Sequence, residues 1–136
     1  MKIFGIGTDI VKINRIKKTI KKKTILRRLF NEKEIQKCKK LKNSSNCFAK
    51  RFAAKEAFSK ALGTGISKGI KFNEILILNE KNGKPFIKLL SQTKKKVDLK
   101  IKKKEYKISL SLTDEDKYAV AFVTISLWRK INLKIL

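Results

Sequence analysis

Residues 2–11 alternate as a strand does, with Phe4, Ile6, Thr8 and Ile10 on one side and Ile3, Gly5, Gly7 and Asp9 on the other. Gly5 and Gly7 leave the second side open, so another group can approach the backbone closely there. Over residues 12–29 the period lengthens. Ile13, Ile16, Ile20 and Leu29 recur among many cations, which predicts a basic amphipathic helical region. Asn31, followed three positions later by Glu34, has the form of a capping box and should start another helix. Residues 44–62 carry the longest helical pattern, closed by Gly63-Thr64-Gly65 in the manner of a C-terminal glycine stop.

Strand patterns then return. Residues 70–78 and 84–90 read as a hairpin about Asn82-Gly83, and 106–112 with 117–127 as a second pair about Thr113-Asp114-Glu115-Asp116. The Lys-rich stretch 92–105 between them predicts either a poorly packed helix or a mobile loop. One strand, then helices, then four strands argues for an α+β fold with helices packed on a mainly antiparallel sheet. No Pro-, Gly- or Ser-rich linker and no internal repeat divides the chain, so 1–136 is expected to form one domain.

Hydrophobic residues make up 42% of the chain, enough for a packed core despite 35% charged residues. The absence of histidine excludes imidazole as base, triad member or metal ligand. Cys38 and Cys47 are too few for a disulfide framework or a metal cluster, and a reducing, cytosol-like compartment is the default expectation. The opening MKIFGIGTDIV is not read as a signal peptide, because Asp9 interrupts it and no small-residue cleavage site follows. No run approaches the ~18 apolar residues of a membrane span. A soluble, unprocessed, cytoplasmic protein is expected.

Lys+Arg 36 against Asp+Glu 11 gives a net charge of +25. That excess suits nucleic acid, whose counterions cationic side chains release. It equally suits a small acidic protein partner, whose encounter opposite charge accelerates. It is also what compositional drift would leave, since Lys greatly outnumbers Arg. Charge alone decides nothing.

Candidate chemistry concentrates in Phe48–Lys60. Phe48, Phe52 and Leu62 anchor this helix to the core, while Ala49, Ala53, Glu56 and Lys60 share a stripe along which a ligand or neighbouring chain could lie. Glu56 and Lys60 at i, i+4 could equally be a surface ion pair of about 0.3–0.5 kcal/mol. Asp9, a carboxylate on an otherwise apolar strand, needs a partner. It either pairs with a lysine, caps the next helix, or joins Glu56 in binding a hard cation such as Mg²⁺. The third case would have Arg51, Lys55 and Lys60 nearby to receive a metal-bound pyrophosphate.

Taken in order, Gly5-Ile6-Gly7-Thr8-Asp9-Ile10-Val11, Arg51-Phe52-Ala53-Ala54-Lys55-Glu56-Ala57 and Lys60-Ala61-Leu62-Gly63 resemble the holo-acyl carrier protein synthase family, the small phosphopantetheinyl transferases. Arg28-Leu29-Phe30 with Glu34, Gly83-Lys84-Pro85, Ser109-Leu110-Ser111 and Tyr118-Ala119-Val120-Ala121 extend the resemblance over nearly the whole chain. It implies transfer of 4′-phosphopantetheine from coenzyme A to a serine of acyl carrier protein, with Mg²⁺ required and adenosine 3′,5′-bisphosphate released. It further implies metal ligation by Asp9 and Glu56, and catalysis by Asp9, Glu56 and Lys60. Cofactor binding falls to Arg51, Lys60, Gly63, Gly83, Pro85 and Ser111. Docking of the acidic carrier falls to Arg15, Lys22 and Arg28. Members of the family are homotrimers with sites between subunits, so ligands from two chains are expected. One departure stands out: Leu112 occupies the place where the family commonly has histidine.

The serine hydroxyl would attack the phosphate bearing pantetheine, with Arg51 or Lys60 adding positive charge. Its proton goes either to Lys60, if that side chain is held neutral, or to Glu56 acting through a metal-bound water. The competing class is a small basic nucleic-acid-binding module. Aromatics at only 8%, placed at core positions, and the lack of any nucleic-acid-binding motif argue against it.

Overall fold

In a computed structural model, which describes residues 1–63, 69–102 and 105–128, β1 (Lys2–Lys12) leads into α1 (Ile13–Thr19), α2 (Lys23–Leu29), α3 (Glu32–Lys39) and the long α4 (Ser44–Leu62). A 3-10 turn at Phe72–Glu74 enters β2 (Ile75–Asn79), followed by β3 (Pro85–Leu89), α5 (Ser91–Ile101), β4 (Tyr106–Asp114) and β5 (Tyr118–Leu127). Every strand pairing is antiparallel, and the α+β expectation holds. The strands form two sheets, β1-β5-β4 and the hairpin β2-β3.

The Asn31–Glu34 capping box forms as read: the Asn31 side chain accepts from Lys33 N and the Glu34 side chain accepts from Asn31 N. Gly63 ends α4 at φ 86°, while Thr64 and Gly65 lie outside the described residues. The helical region read over 12–29 forms as two short helices, separated at residues 20–22. Stretch 92–105 is neither loop nor poorly packed over its first part, because Thr93, Val97 and Ile101 at i, i+4, i+8 bury α5 against the core.

A register shift between Ile3 and Gly5 makes Phe4 the extra residue of a bulge. Phe4 therefore packs against the core and Ile3 is exposed, the reverse of strict alternation. Cys38 and Cys47, too few for a disulfide framework, are joined by one bond, which staples the end of α3 to the start of α4.

The centre of the fold is the packing of α4 on the β1–β5 face. Ala49, Ala53, Ala57 and Ala61, one per helical turn, are all buried. Facing them, a Cβ at Gly5 would lie 1.8 Å from the Ala61 carbonyl oxygen, and one at Gly7 1.9 Å from that of Ala57. The small stripe on α4 is thus covered by the chain's own sheet, not left open to a ligand. The other face of the sheet carries exposed Ile3, Ile6, Ile10 and Phe122.

Because backbone rather than a flexible side chain blocks the added methyl, Gly7→Ala should destabilise the protein by about 3 kcal/mol, read as a lower urea midpoint. Gly63→Ala, where a Cβ meets nothing within 4 Å, should cost only the roughly 1–2 kcal/mol of left-handed backbone.

Candidate active site

Asp9 is the next inward position on β1 after Gly7, so the close contact with Ala57 brings its carboxylate to the edge of α4. Lys60 Nζ donates to Asp9 Oδ1 at 3.2 Å and to the Thr8 carbonyl at 2.9 Å. The Asp9 side chain is only 16% exposed, whereas that of Lys60 is 55% exposed. Glu56 lies one turn before Lys60 and is half-buried. Burial holds its carboxyl above the usual range, and the nearby Asp9 charge raises it further, with Lys60 and Arg15 partly offsetting both. Two carboxylates thus share one corner with a single bonded ammonium.

That corner suits a hard divalent cation, which would relieve the repulsion that Asp9 imposes on Glu56. Among the described residues no group of three His, Cys, Asp or Glu side chains could hold a metal. Two carboxylates match Mg²⁺, which completes its octahedron with water and phosphate oxygens.

Glu56 also stands at a cleft of about 580 Å³ whose walls include Arg28, Leu29, Phe52, Ile70 and Phe72. Phe52 meets Phe72 edge-on at 5.8 Å, so it forms cleft wall as well as core. Of the three docking candidates, Arg28 lines this cleft and Arg15 acts on Glu56, while Lys22 is exposed at the break before α2.

Lys55 and Arg51 do not point at the corner. Lys55 is fully buried on Glu34, and burial pulls it down to about 8 although Glu34 opposes the shift. Arg51 is buried too. Its Nη1 donates to Cys47 Sγ at 3.1 Å and its Nη2 to Asn79 Oδ1 at 3.0 Å, while its Nε has no partner among the described residues.

Lys37 donates to the same Asn79 oxygen at 2.5 Å, and Asn79 Nδ2 donates to the Gly83 carbonyl at 3.0 Å. Burial first and the Arg51 charge second lower the Lys37 pKa. Arg51, Lys37, Lys50, Asn79 and Asp114 line a second cleft of about 270 Å³, in which Asp114 is engaged by Asn46 at 2.8 Å and Lys50 at 3.3 Å. Two cations converging on one neutral oxygen make this cleft receptive to an anion.

The structure therefore groups Asp9, Glu56, Lys60, Arg15 and Arg28 in one place, and Arg51 with Gly83 in another. Pro85 opens β3 beside the second group. Ser111 is exposed on the outer sheet face opposite Phe122, and Gly63 is exposed at the end of α4. Leu112 pairs with Ala121, which pairs with Asp9, and packs against the core side of the sheet. Sequence reasoning missed Asn79 and Lys37, whose roles rest on contacts far along the chain.

Residues 5–123 match the family model of the 4′-phosphopantetheinyl transferase superfamily. The chain is 44% identical over 125 residues to the holo-[acyl-carrier-protein] synthase of Pelagibacter ubique, covering 92% of this chain and 98% of that protein. It is 46% identical over 128 residues to the synthase of Ehrlichia chaffeensis, covering 90% and 96%. Among solved structures, the Neisseria meningitidis synthase superposes with a TM-score of 0.80 at 36% identity, covering 91% of this chain and 98% of that one. The Bacillus anthracis synthase, solved in complex with CoA (3′,5′-ADP), superposes with a TM-score of 0.75 at 35% identity, covering 92% and 97%. No helix among the described residues is long and apolar enough to cross a membrane.

If Asp9 raises the Glu56 pKa, Asp9→Asn should lower it without restoring the ordinary value, because burial remains. Carboxyl ¹³C shifts followed through a pH titration in chelator will read this; an unmoved midpoint would refute the shared corner.

Proposed function

The chain belongs to the 4′-phosphopantetheinyl transferase superfamily, and from that membership we propose that it moves 4′-phosphopantetheine from coenzyme A to a serine of apo-acyl carrier protein. Adenosine 3′,5′-bisphosphate is the second product. The observation that carries this reading is the pairing of Asp9 with Glu56 at the mouth of a largely apolar cleft.

In the reaction the serine oxygen bonds to the phosphorus bearing pantetheine, the bond from that phosphorus to the bridging oxygen breaks, and the serine proton is taken up. Asp9 and Glu56 would hold Mg²⁺, which when bound supplies positive charge to the pyrophosphate oxygens. Lys60, anchored by the Thr8 carbonyl, presents an exposed ammonium to the same oxygens. We assign the serine proton to Glu56 acting through a water, because Glu56 stands both at the corner and on the cleft wall. The cleft of Phe52 and Phe72 suits the pantetheine arm, and the Arg51 cleft suits the phosphates of the nucleotide end, next to Gly83 and Pro85. Exposed Ile6, Ile10 and Phe122 support association of copies through the outer sheet face, in the homotrimer expected of the family. Arg15 and Arg28, at the rim of the corner, with Lys22 nearby in sequence, would receive the acidic carrier.

Incubation with apo-carrier, coenzyme A and Mg²⁺ should add the mass of one phosphopantetheine arm to the carrier; an unchanged intact mass would defeat the proposal. Asp9→Ala and Glu56→Ala should each lower turnover by about 10²-fold or more while remaining folded by circular dichroism.

Arg15→Glu should raise the carrier KM about tenfold at low salt and leave coenzyme A affinity unchanged. The difference from wild type should shrink above ~0.1 M salt, where the Debye length is ~10 Å. Equal carrier KM values at low salt would place docking elsewhere.

A further inference from the structure

Beside Glu56, α4 buries a charge to which the reaction assigns no role. Lys55 Nζ donates to Glu34 Oε1 at 2.7 Å, to the Leu29 carbonyl at 2.9 Å and to the Phe72 carbonyl at 2.8 Å. An ammonium has three protons, and all three are used. The Phe30 ring closes the remaining side, with its centroid 4.9 Å from Nζ.

The acceptors belong to the segments that form the cleft. Leu29 ends α2, Phe72 starts the 3-10 turn, and Lys55 itself stands next to Glu56 on α4; Leu29, Phe72 and Glu56 all line the cleft. The Leu29 carbonyl lies in the last turn of a seven-residue helix, where backbone acceptors have no intrahelical donor. Glu34 is fixed in turn. Its Oε1 also accepts from Asn31 N at 3.0 Å, and its Oε2 accepts from Ile77 N at 3.2 Å. One point charge, anchored through Glu34 to α3 and β2, thereby holds α2 and the 3-10 turn at a set distance from α4.

Stability alone does not account for the pair. Apolar side chains of similar volume generally serve a core as well as a buried ion pair or better, because both charges lose their hydration. What a lysine gains here is geometry: two backbone carbonyls from separate segments aimed at one nitrogen.

We propose that Lys55, held by Glu34, is a positioning residue that sets the width of the cleft and through it the fit of coenzyme A's pantetheine arm. The proposal rests on placing that arm in this cleft. It separates the two ends of the substrate, since the nucleotide end is assigned to the Arg51 cleft, which neither Lys55 nor Glu34 lines. Both act on Arg51 through charge, and the double variant below removes one charge of each sign.

Lys55→Met alone strands the Glu34 carboxylate in the core and risks unfolding the protein, so the test uses the double variant Lys55→Met/Glu34→Gln. Calorimetric titration of the full chain with coenzyme A should show a Kd raised about tenfold, as expected when a snug subsite is mis-set by a fraction of an ångström. Adenosine 3′,5′-bisphosphate, which lacks the arm, should bind as to wild type. A purely structural role would not split the two ligands. Equal weakening of both, or no weakening of either, overturns the proposal. Phe52→Ala tells the two layers apart: if it weakens coenzyme A and the double variant does not, the clamp fails while the arm's placement stands. If neither weakens coenzyme A, the placement fails and the clamp falls with it.

Discussion

The fold depends on a helix lying against a strand with no side chain between them. Four helical residues advance ~6.0 Å and two strand residues ~6.7 Å, so α4 and β1 stay nearly in step over two repeats. Gly5 meets Ala61 and Gly7 meets Ala57. Continuing the same step places Asp9 near Ala53, with Glu56 and Lys60 on the flank of the contact row. Any side chain at Gly5 or Gly7 would lift the helix and widen the gap across which Lys60 reaches Asp9 at 3.2 Å. Packing of the smallest residues is therefore what assembles the charged corner.

Charge inside this strongly basic chain is handled in two ways. The Glu34–Lys55 pair is closed: three donors meet three acceptors, and the carboxylate keeps two backbone donors besides. The Asp9–Glu56 corner and the Arg51–Lys37 cleft are left open: in the first, two carboxylates stand close with one bonded ammonium, and in the second, two cations share one neutral oxygen. Two places left open in these ways would suit the proposed substrate, whose phosphates are bound together with a divalent cation. Arg51 shows the same incompleteness atom by atom, with its Nε buried and without a partner among the described residues.

Much of this was legible in residue patterns. Asn31 with Glu34 announced a helix start, Asn82-Gly83 a hairpin, and two glycines a close approach, because each acts through neighbours a few positions away. Elements governed by distant partners were not legible. The α5 helix was obscured because Thr93, Val97 and Ile101 form a thin stripe among lysines, and only burial against the core reveals it. The helical stripe was taken through Glu56 and Lys60, whereas Ala57 and Ala61 continue the buried row; alanine is too weakly hydrophobic to mark a face. Phe4 carries no local sign of the bulge that turns it inward. Lys55 looks like any other lysine until Glu34, 21 residues away, is brought beside it. The Cys38–Cys47 bond likewise depends on how α3 meets α4.

The two charged places stand on one helix yet face apart. Arg51 and Lys60 are nine positions apart on α4, so at 1.5 Å and 100° per residue they lie ~13–14 Å distant along the axis and roughly 180° around it. A single elongated substrate touching both on one chain would have to pass around the helix, whose intervening sides carry buried Ala53, Ala54, Ala57 and Phe58. The proposed association of copies would remove that difficulty, because the Arg51 cleft of one would face the Asp9 corner of another. The outer sheet face offers the means of association: Phe122 lies opposite Thr8 and diagonal to Ile6 and Ile10, and all three apolar side chains are exposed. Ser111 borders the same face, opposite Phe122 on β4. With the assembly proposed above, the exposed apolar face and the divided site would have one explanation, since copies joined through that face would complete what a single chain holds in halves.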